Sequence, residues 1–320
     1  MWIEKHVWRA NMILDNQEMD RILKTAEEKG RQVLPMGEVA TYIPELGKAD
    51  GTKLGICIRT KEGQIFQIGD TDTRFTIQSI SKIVSLALAI EICGFETVFD
   101  KVGMEPSGEA FNSLVELDLN SNKPFNPMIN SGALTISSLL HPELTFKQIL
   151  EFTRKLCMDP DIQLNEAVYQ SEMSHISRNR AIAYLLESKN IIETGVEESL
   201  TLYTKMCSLD VTAVSLANLA MVLAAGGTHP ETGEQLLRPD TVKVVKTIML
   251  TCGMYDGSGE FAVRVGIPTK SGVGGGLLSV VDGRLGIGVY GPALDAKGNC
   301  IAGRPLLEYL SQELKLHIFQ

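Results

Sequence analysis

Ser79 and Lys82 stand three residues apart at the head of the apolar run Ile83-Val84-Ser85-Leu86-Ala87-Leu88-Ala89-Ile90. A run that is apolar nearly all round marks a buried helix. Residues three apart on a helix share a face, with Cβ atoms about 5–6 Å apart, so the hydroxyl can meet the amine. At a helix N-terminus, free backbone N–H groups stabilise a developing alkoxide or oxyanion. Burial disfavours an ammonium ion. Bringing Lys82 near neutrality costs that form roughly 4–5 kcal/mol and turns the amine into a general base. Polar neighbours must then hold it. Taken alone, Ser-x-x-Lys serves as well for a helix cap followed by a snorkelling lysine.

A second cluster narrows the choice. Thr269-Lys270-Ser271-Gly272 precedes a C-terminal hairpin, where a sheet-edge strand would run. Lys-Ser/Thr-Gly accompanies Ser-x-x-Lys in a known class of serine enzymes. Its lysine supplies positive charge, and its glycine lets a substrate approach the strand backbone. The Val273 N–H then becomes a second oxyanion donor beside that of Ser79. Other chemistries find less support. The chain carries no phosphate-binding Gly-x-x-x-x-Gly-Lys-Ser/Thr, no His-Glu-x-x-His and no Gly-x-Ser-x-Gly. Gly272-Val273-Gly274-Gly275-Gly276 imitates a dinucleotide loop but has Leu277 where the third glycine belongs. The five histidines (His6, His141, His175, His229, His317) are dispersed and read as surface or structural residues. The six cysteines (Cys57, Cys93, Cys157, Cys207, Cys252, Cys300) form no Cys-x-x-Cys, which suits reduced, buried thiols; no metal or cofactor is expected.

The elements that must position these residues are legible in outline. The pattern predicts an amphipathic helix from about Asp15 to Arg31, with Met19, Ile22, Leu23 and Ala26 on one side. A strand pair follows around Leu54, Ile56 and Ile58, turning at Glu62-Gly63 and returning through Ile65-Phe66-Gln67-Ile68. Near the C-terminus a hairpin is expected to turn at Asp282-Gly283 in type I′ geometry, followed by a closing helix around Pro305 to Leu314. Between these ends the chain turns helical. Thr145-Phe146-Lys147-Gln148 reads as a capping box, Asp210 as the cap of an apolar helix, and Pro239-Asp240 as a helix start. Strands at both termini with helices between them imply an α+β fold: one antiparallel sheet built from both chain ends, flanking helices and an inserted helical lobe. The expected division of a single domain (1–320) is a sheet lobe over about 25–75 and 245–320, with a helical lobe over about 76–244.

Composition sets outer limits. With 320 residues, 44% hydrophobic and 22% charged, the chain can bury a sizeable core. A net charge of −9 without a Lys/Arg cluster argues against a nucleic-acid partner. The longest nearly apolar stretch, Ala213 to Gly227, is too short to cross a membrane. The first residues lack a signal-peptide pattern, so cytoplasmic location is the default expectation.

Several longer motifs complete the picture: Thr41-Tyr42-Ile43-Pro44-Glu45-Leu46, Gln78-Ser79-Ile80-Ser81-Lys82, Glu105-Pro106-Ser107-Gly108, Asn126-Pro127-Met128-Ile129-Asn130-Ser131-Gly132-Ala133, Cys252-Gly253-Met254-Tyr255-Asp256 and Lys270-Ser271-Gly272-Val273. With them the chain resembles the serine-dependent glutaminases, amidohydrolases of the β-lactamase/transpeptidase-like fold, from about Gly37 to near the C-terminus. The resemblance implies hydrolysis of the side-chain amide of L-glutamine to glutamate and ammonia, without a cofactor. Ser79 would be the nucleophile and Lys82 its base, and Tyr255 a proton shuttle for the leaving amine. Glu172 would pair the substrate ammonium. Asn130 and Asn179 would supply amide contacts, with Tyr42, Tyr203 and Val273 lining the pocket. Ser177-Arg178-Asn179 fits the Ser-x-Asn motif of penicillin-recognising relatives, but the resemblance assigns Asn179 to substrate. Larger animal members carry an ankyrin-repeat tail and a targeting region; neither pattern occurs here, so a bacterial-type short form, a homo-oligomer (dimer or tetramer), is expected. Residues 108–114 resemble, in part, a loop linked to phosphate activation and oligomer contacts. Two other readings remain at this level: a penicillin-recognising hydrolase or peptidase, and a catalytically silent amino-acid-binding module.

Overall fold

The computed structural model describes residues 15–107, 123–193 and 195–320. The expectation for the loop at 108–114 therefore falls outside the described residues. Helix α1 (Asn16–Val33) opens the chain, capped by the Asp15 carboxylate, which accepts from Gln17 N, with Met19, Ile22, Leu23 and Ala26 buried on one side. The two-residue strand β1 (Glu38–Val39) follows, then β2 (Gly55–Thr60) and β3 (Ile65–Gly69) as an antiparallel pair. From the other end of the chain come β6 (Thr269–Ser271), β7 (Gly276–Val281) and β8 (Leu285–Tyr290). They join the first pair in one antiparallel sheet of order β3-β2-β8-β7-β6, with Gly55 opposite Tyr290 and Ile58 opposite Ile287. Both chain ends thus build one sheet, and β6 with its Lys-Ser-Gly segment forms an edge.

Period-two alternation explains how the sheet is clad on both faces. Ile56, Ile58, Leu277, Val281, Leu285, Ile287 and Val289 point into one core, with Met19, Leu23, Leu306 and Leu310 from α1 and the C-terminal helix α12 (Gly303–Leu314). Cys57, Leu278, Val280 and Tyr290 point into the other, against the apolar helix α9 (Ala213–Ala224). On that face β8 presents Gly286 and Gly288. A Cβ on Gly288 would lie 1.9 Å from Ala213 O, and one on Gly286 2.4 Å from Ala217 O. Their missing side chains let α9 lie directly on the strand.

Two local expectations change. Asp210 does not cap α9: it lies in the short strand β5 (Asp210–Val211), paired with β4 (Phe75–Thr76), and its carboxylate accepts from Asn165 Nδ2 at 3.1 Å. Thr212 caps instead, in a reciprocal box with Ser215. The C-terminal hairpin is not type I′, which needs both central residues left-handed. Gly283 has φ 66° and Asp282 is not left-handed. The last pair is Val281–Leu285, so Arg284 enters the loop. Its guanidinium donates to Leu314 O and Lys315 O, tying the loop to the end of α12.

The inserted helices include α2 (Ser81–Cys93), α3 (Phe95–Lys101), α4 (Asn130–Leu140), α5 (Phe146–Cys157), α6 (Glu166–Ser174), α7 (Ser177–Ser188) and α8 (Val196–Cys207). After α9 come α10 (Pro239–Cys252) and α11 (Ser258–Arg264). The predicted box at Thr145 and Gln148 caps α5. Among the described residues no helix is long and apolar enough to cross a membrane. Because α9 rests on backbone at Gly288, Gly288→Ala should lower the unfolding free energy by about 1–3 kcal/mol, the usual range for overpacking. Urea denaturation followed by circular dichroism measures it; an unchanged midpoint would mean that α9 is free to shift.

Candidate active site

The site forms where the head of α2, the first turn of α4 and the edge strand β6 converge. Ser79 lies in a 3-10 turn (Gln78–Ile80), one step ahead of α2, and Lys82 is the second residue of the helix. Gln78, directly before Ser79, has φ 49°, a left-handed conformation that β-carbon sterics disfavour. The turn is pinned by its neighbours. A Cβ on Gly272 would lie 2.8 Å from Ile77 O, and one on Gly274 would lie 2.4 Å from Thr76 O. Those two glycines let the segment after β6 pass close over the backbone that presents Ser79.

Lys82 is 1% exposed. Its Nζ donates to Met128 O at 3.0 Å and Asn130 Oδ1 at 2.8 Å. Burial lowers its pKa to about 8, opposed by the nearby Cys207 and Glu172. This matches the sequence expectation of a desolvated lysine. Its holders follow from local structure: Asn130 begins α4, and Asn126 Oδ1 accepts from Met128 N at 2.9 Å to fix the preceding loop. Gly132 allows this approach, since a Cβ there would lie 2.0 Å from Asn126 O. Sequence reasoning assigned Asn130 to substrate alone and missed its bond to Lys82.

Asn130 is also the centre of a wider network. Its Nδ2 donates to Asn179 Oδ1 at 3.0 Å, and Tyr203 OH donates to its Oδ1 at 3.3 Å. Asn179 sits in the first turn of α7 and Tyr203 on α8, while Ser177 is exposed. Cys207, one turn beyond Tyr203, lies 3.7 Å from Ser81 Oγ. Burial pushes its thiol up to about 12, so it is an unreactive wall rather than a nucleophile. All six cysteines are free, and five are buried.

Tyr255 follows α10 in a 3-10 turn with φ 54°. Its hydroxyl donates to Ser271 O at 3.3 Å and has Ser79 as a further hydrogen-bonding neighbour; burial raises its pKa. Lys270 lies 4.7 Å from the centre of its ring. Lys270 is 0% exposed, and its Nζ donates to Ser271 O at 2.6 Å and Gly253 O at 3.3 Å. Burial, followed by repulsion from Lys82, holds the Lys270 pKa well below the usual lysine value.

Glu172, on α6, is 7% exposed. Burial pushes its pKa up to about 7, against the lowering effects of a Gln78 hydrogen bond and the Lys82 charge. Among the described residues its Oε2 has no hydrogen-bond partner. Such an orphaned buried carboxylate oxygen is costly unless a ligand completes it. Tyr42 is 57% exposed, and desolvation, Tyr255 and Glu172, in that order, raise its phenol pKa. Val273 is buried with Ile43, Leu46, Val168 and Leu294, beside Tyr255. Hydrogen bonds join Lys82, Asn130, Asn179 and Tyr203 in one network, and Tyr255 packs beside Val273 and Lys270. Among the described residues no group of three or more His, Cys, Asp or Glu side chains is placed to hold a metal ion.

The family model described as Glutaminase matches residues 37–319. The chain belongs to the glutaminase family. A glutaminase of Clostridium tetani is 52% identical over 305 residues, covering 94% of this chain and 100% of that protein. One of Fusobacterium nucleatum is also 52% identical with the same coverage. Among solved structures, the probable glutaminase ybaS superposes with a TM-score of 0.91 at 37% identity, covering 96% of this chain and 100% of that one. A probable glutaminase of Bacillus subtilis complexed with 6-diazo-5-oxo-L-norleucine gives 0.85 at 38% identity, covering 97% and 99%. This glutaminase accordingly has the β-lactamase-like fold and is a hydrolase acting on glutamine.

The buried lysine generates a stability test. Below pH 8 both folded and unfolded states hold the Lys82 proton, and the full cost of the buried ammonium is present. Between about 8 and the ordinary lysine value of 10.5 only the unfolded chain stays protonated, so rising pH favours the fold. The stability of Lys82→Met relative to the parent should therefore fall by about 3 kcal/mol from about pH 7 to about pH 10.5. A difference constant with pH in chemical denaturation would mean that Lys82 is solvated.

Proposed function

We propose that this glutaminase hydrolyses the side-chain amide of L-glutamine through a covalent γ-glutamyl ester on Ser79. The observation that carries the reading is a buried lysine of lowered pKa just after a serine at the head of α2, together with a buried carboxylate that has an unpartnered oxygen. Glutamine suits both groups. It carries an ammonium for Glu172 Oε2 and a neutral amide for the nucleophile.

In the first step Lys82, as free amine, takes the Ser79 proton while Oγ attacks the amide carbon. Charge develops on the amide oxygen, and the backbone N–H groups of Ser79 and Val273 receive it. The C–N bond then breaks. Tyr255 passes a proton to the departing nitrogen, and ammonia leaves. Water, deprotonated along the same route, attacks the ester and releases glutamate. Asn130 holds the Lys82 amine through its Oδ1, and with Asn179 and Tyr203 it contacts the substrate. Tyr42 closes the rim. Support for a covalent step comes from a relative. A Bacillus subtilis glutaminase, 38% identical with a TM-score of 0.84, forms a covalent complex with 5-oxo-L-norleucine by reaction with 6-diazo-5-oxo-L-norleucine.

Ser79→Ala should abolish ammonia release from L-glutamine while calorimetry still detects binding; turnover near that of the parent would overturn the assignment. L-asparagine should not be hydrolysed, since its chain is one methylene shorter and cannot reach Ser79 with its ends held. Glu172→Gln should raise KM at least about thirtyfold, the equivalent of the ~2 kcal/mol lower bound for truncating a buried charge pair. An unchanged KM would place the ammonium elsewhere. The pH dependence of kcat/KM has a definite sign. Glu172 must lose its proton near 7 and Lys82 near 8, so kcat/KM should rise with pH through both values, and Glu172→Gln should remove the lower limb.

A further inference from the structure

Tyr255 stands on a backbone that its residue type disfavours. Its φ of 54° is left-handed, where the β-carbon of a bulky side chain crowds the chain, and such strain persists only where the surroundings over-determine it. The segment enters from α10, whose end at Gly253 is pressed against β6, and leaves into α11. Between them one side chain reaches both sides of the tyrosine. Ser258, the first residue of α11, is 5% exposed. Its Oγ accepts from Met254 N at 3.0 Å and donates to Tyr255 O at 2.8 Å. A serine in the first turn of a helix commonly bonds in one direction, back to a carbonyl. Here the hydroxyl also satisfies a buried N–H on the residue before Tyr255, so it closes a clasp across the strained position.

The turn from Asp295 to Asn299 braces the same segment from another side. Asp295 Oδ1 accepts from Lys297 N at 2.9 Å and Asn299 N at 3.0 Å. The turn so formed sends Asn299 Nδ2 to Met254 O at 3.4 Å and Lys297 Nζ to Asp256 O at 3.3 Å. A Cβ on Gly298 would lie 3.8 Å from Tyr255 Cε2, so the ring rests against backbone there. This brace holds the neighbours of Tyr255 and its ring. Ser258 holds the main chain of Tyr255 itself, through its hydroxyl and its N–H.

We propose that Ser258 is a positioning residue for amide cleavage, its hydroxyl holding Tyr255 in the left-handed turn from which the phenol meets Ser271 O. The proposal deepens the function argued above and rests on Tyr255 as the proton donor to the departing nitrogen. Without the clasp the backbone at Tyr255 is free to relax toward the right-handed region, and the phenol loses its bond to Ser271 O and its place beside Lys270. Ser79, Lys82 and Glu172 lie on other elements, so the loss falls on the step that needs the proton.

The test uses the full chain and two substrates that differ in their need for that proton. L-Glutamine expels ammonia, whose nitrogen must gain a proton as the C–N bond breaks. The γ-methyl thioester of L-glutamate expels a thiolate, which leaves without one. For both, kcat/KM is measured, with the spontaneous cyclisation of the thioester subtracted, and their ratio is taken within one preparation so that any unfolded fraction cancels. Tyr255→Phe should lower kcat/KM for glutamine about hundredfold or more, the low end of general-acid catalysis, and leave the thioester within about threefold. Ser258→Ala should show the same selectivity at about tenfold, the scale of a misplaced catalytic group. Ser258→Cys, which keeps the size and weakens both bonds, should fall in between, and Ser258→Thr, which keeps the hydroxyl, should stay near the parent. In the Tyr255→Phe background Ser258→Ala should cost nothing further. Equal losses on both substrates in Ser258→Ala and Ser258→Cys, or no loss, overturn the proposal and leave Tyr255 as donor; so does full additivity of the two substitutions. No selectivity in Tyr255→Phe overturns the donor role of Tyr255, and the positioning role with it.

Discussion

Keeping an amine neutral enough to accept a proton requires that water be excluded from it, and excluding water from Lys82 governs much of the surrounding architecture. Helix α2 is buried over its first ten residues, from Ser81 to Ile90, so the amine enters a dry core from which its four-carbon stem cannot carry it to solvent. Desolvation of this kind is unfavourable unless the nitrogen finds acceptors. Met128 O and Asn130 Oδ1 provide them, and both come from the Asn126–Asn130 segment. That segment reaches α2 only because Gly132 leaves room for Asn126 O. An apolar helix, a buried base and a glycine far along the chain are parts of one requirement.

Close backbone approach is the second theme, and it recurs wherever the sheet meets the helices. Gly253 lets the end of α10 press on β6, since a Cβ there would lie 1.8 Å from Thr269 O. Ser271 N then donates to Gly253 O, and Lys270 Nζ reaches the same carbonyl. Tyr255 is fixed next to this junction, with its hydroxyl on Ser271 O and its ring against Lys270. Thus the Lys-Ser-Gly strand serves as a backbone edge for its neighbours. It holds the phenol by Ser271 O, and its following glycines let the backbone close over the turn that presents Ser79.

Burial also resets the ionisations of the site. Lys82 is drawn down to about 8 and Glu172 up to about 7, so a base and an acid whose ordinary values are far apart come to lie close together. Each shift reflects the cost of burying a charge. In the proposed reaction the substrate ammonium completes Glu172 while its uncharged amide meets Ser79. The site holds the cost at Lys82 because its support, Asn130, is itself buried and fixed by neighbouring elements.

Elements and chemistry could be read from the chain alone. The apolar run after Lys82 announced a buried helix, alternation at Ile56 and Ile58 announced β2, and the Asp282-Gly283 turn signal announced the β7–β8 hairpin. The Ser-x-x-Lys and Lys-Ser-Gly motifs pointed to the groups proposed to react. Which polar atoms meet was settled by packing. The bond from Asn130 to Lys82 spans 48 positions, and the cap of α9 moved to Thr212 because β4 claimed Asp210 for a strand. Arg284 changed the hairpin turn because the end of α12, 30 residues later, offered free carbonyls. Local pattern fixes backbone preference and burial, which depend on neighbours in the chain. Hydrogen-bond partners and pKa values depend on neighbours in space, and those exist only once the glycines have let the layers close.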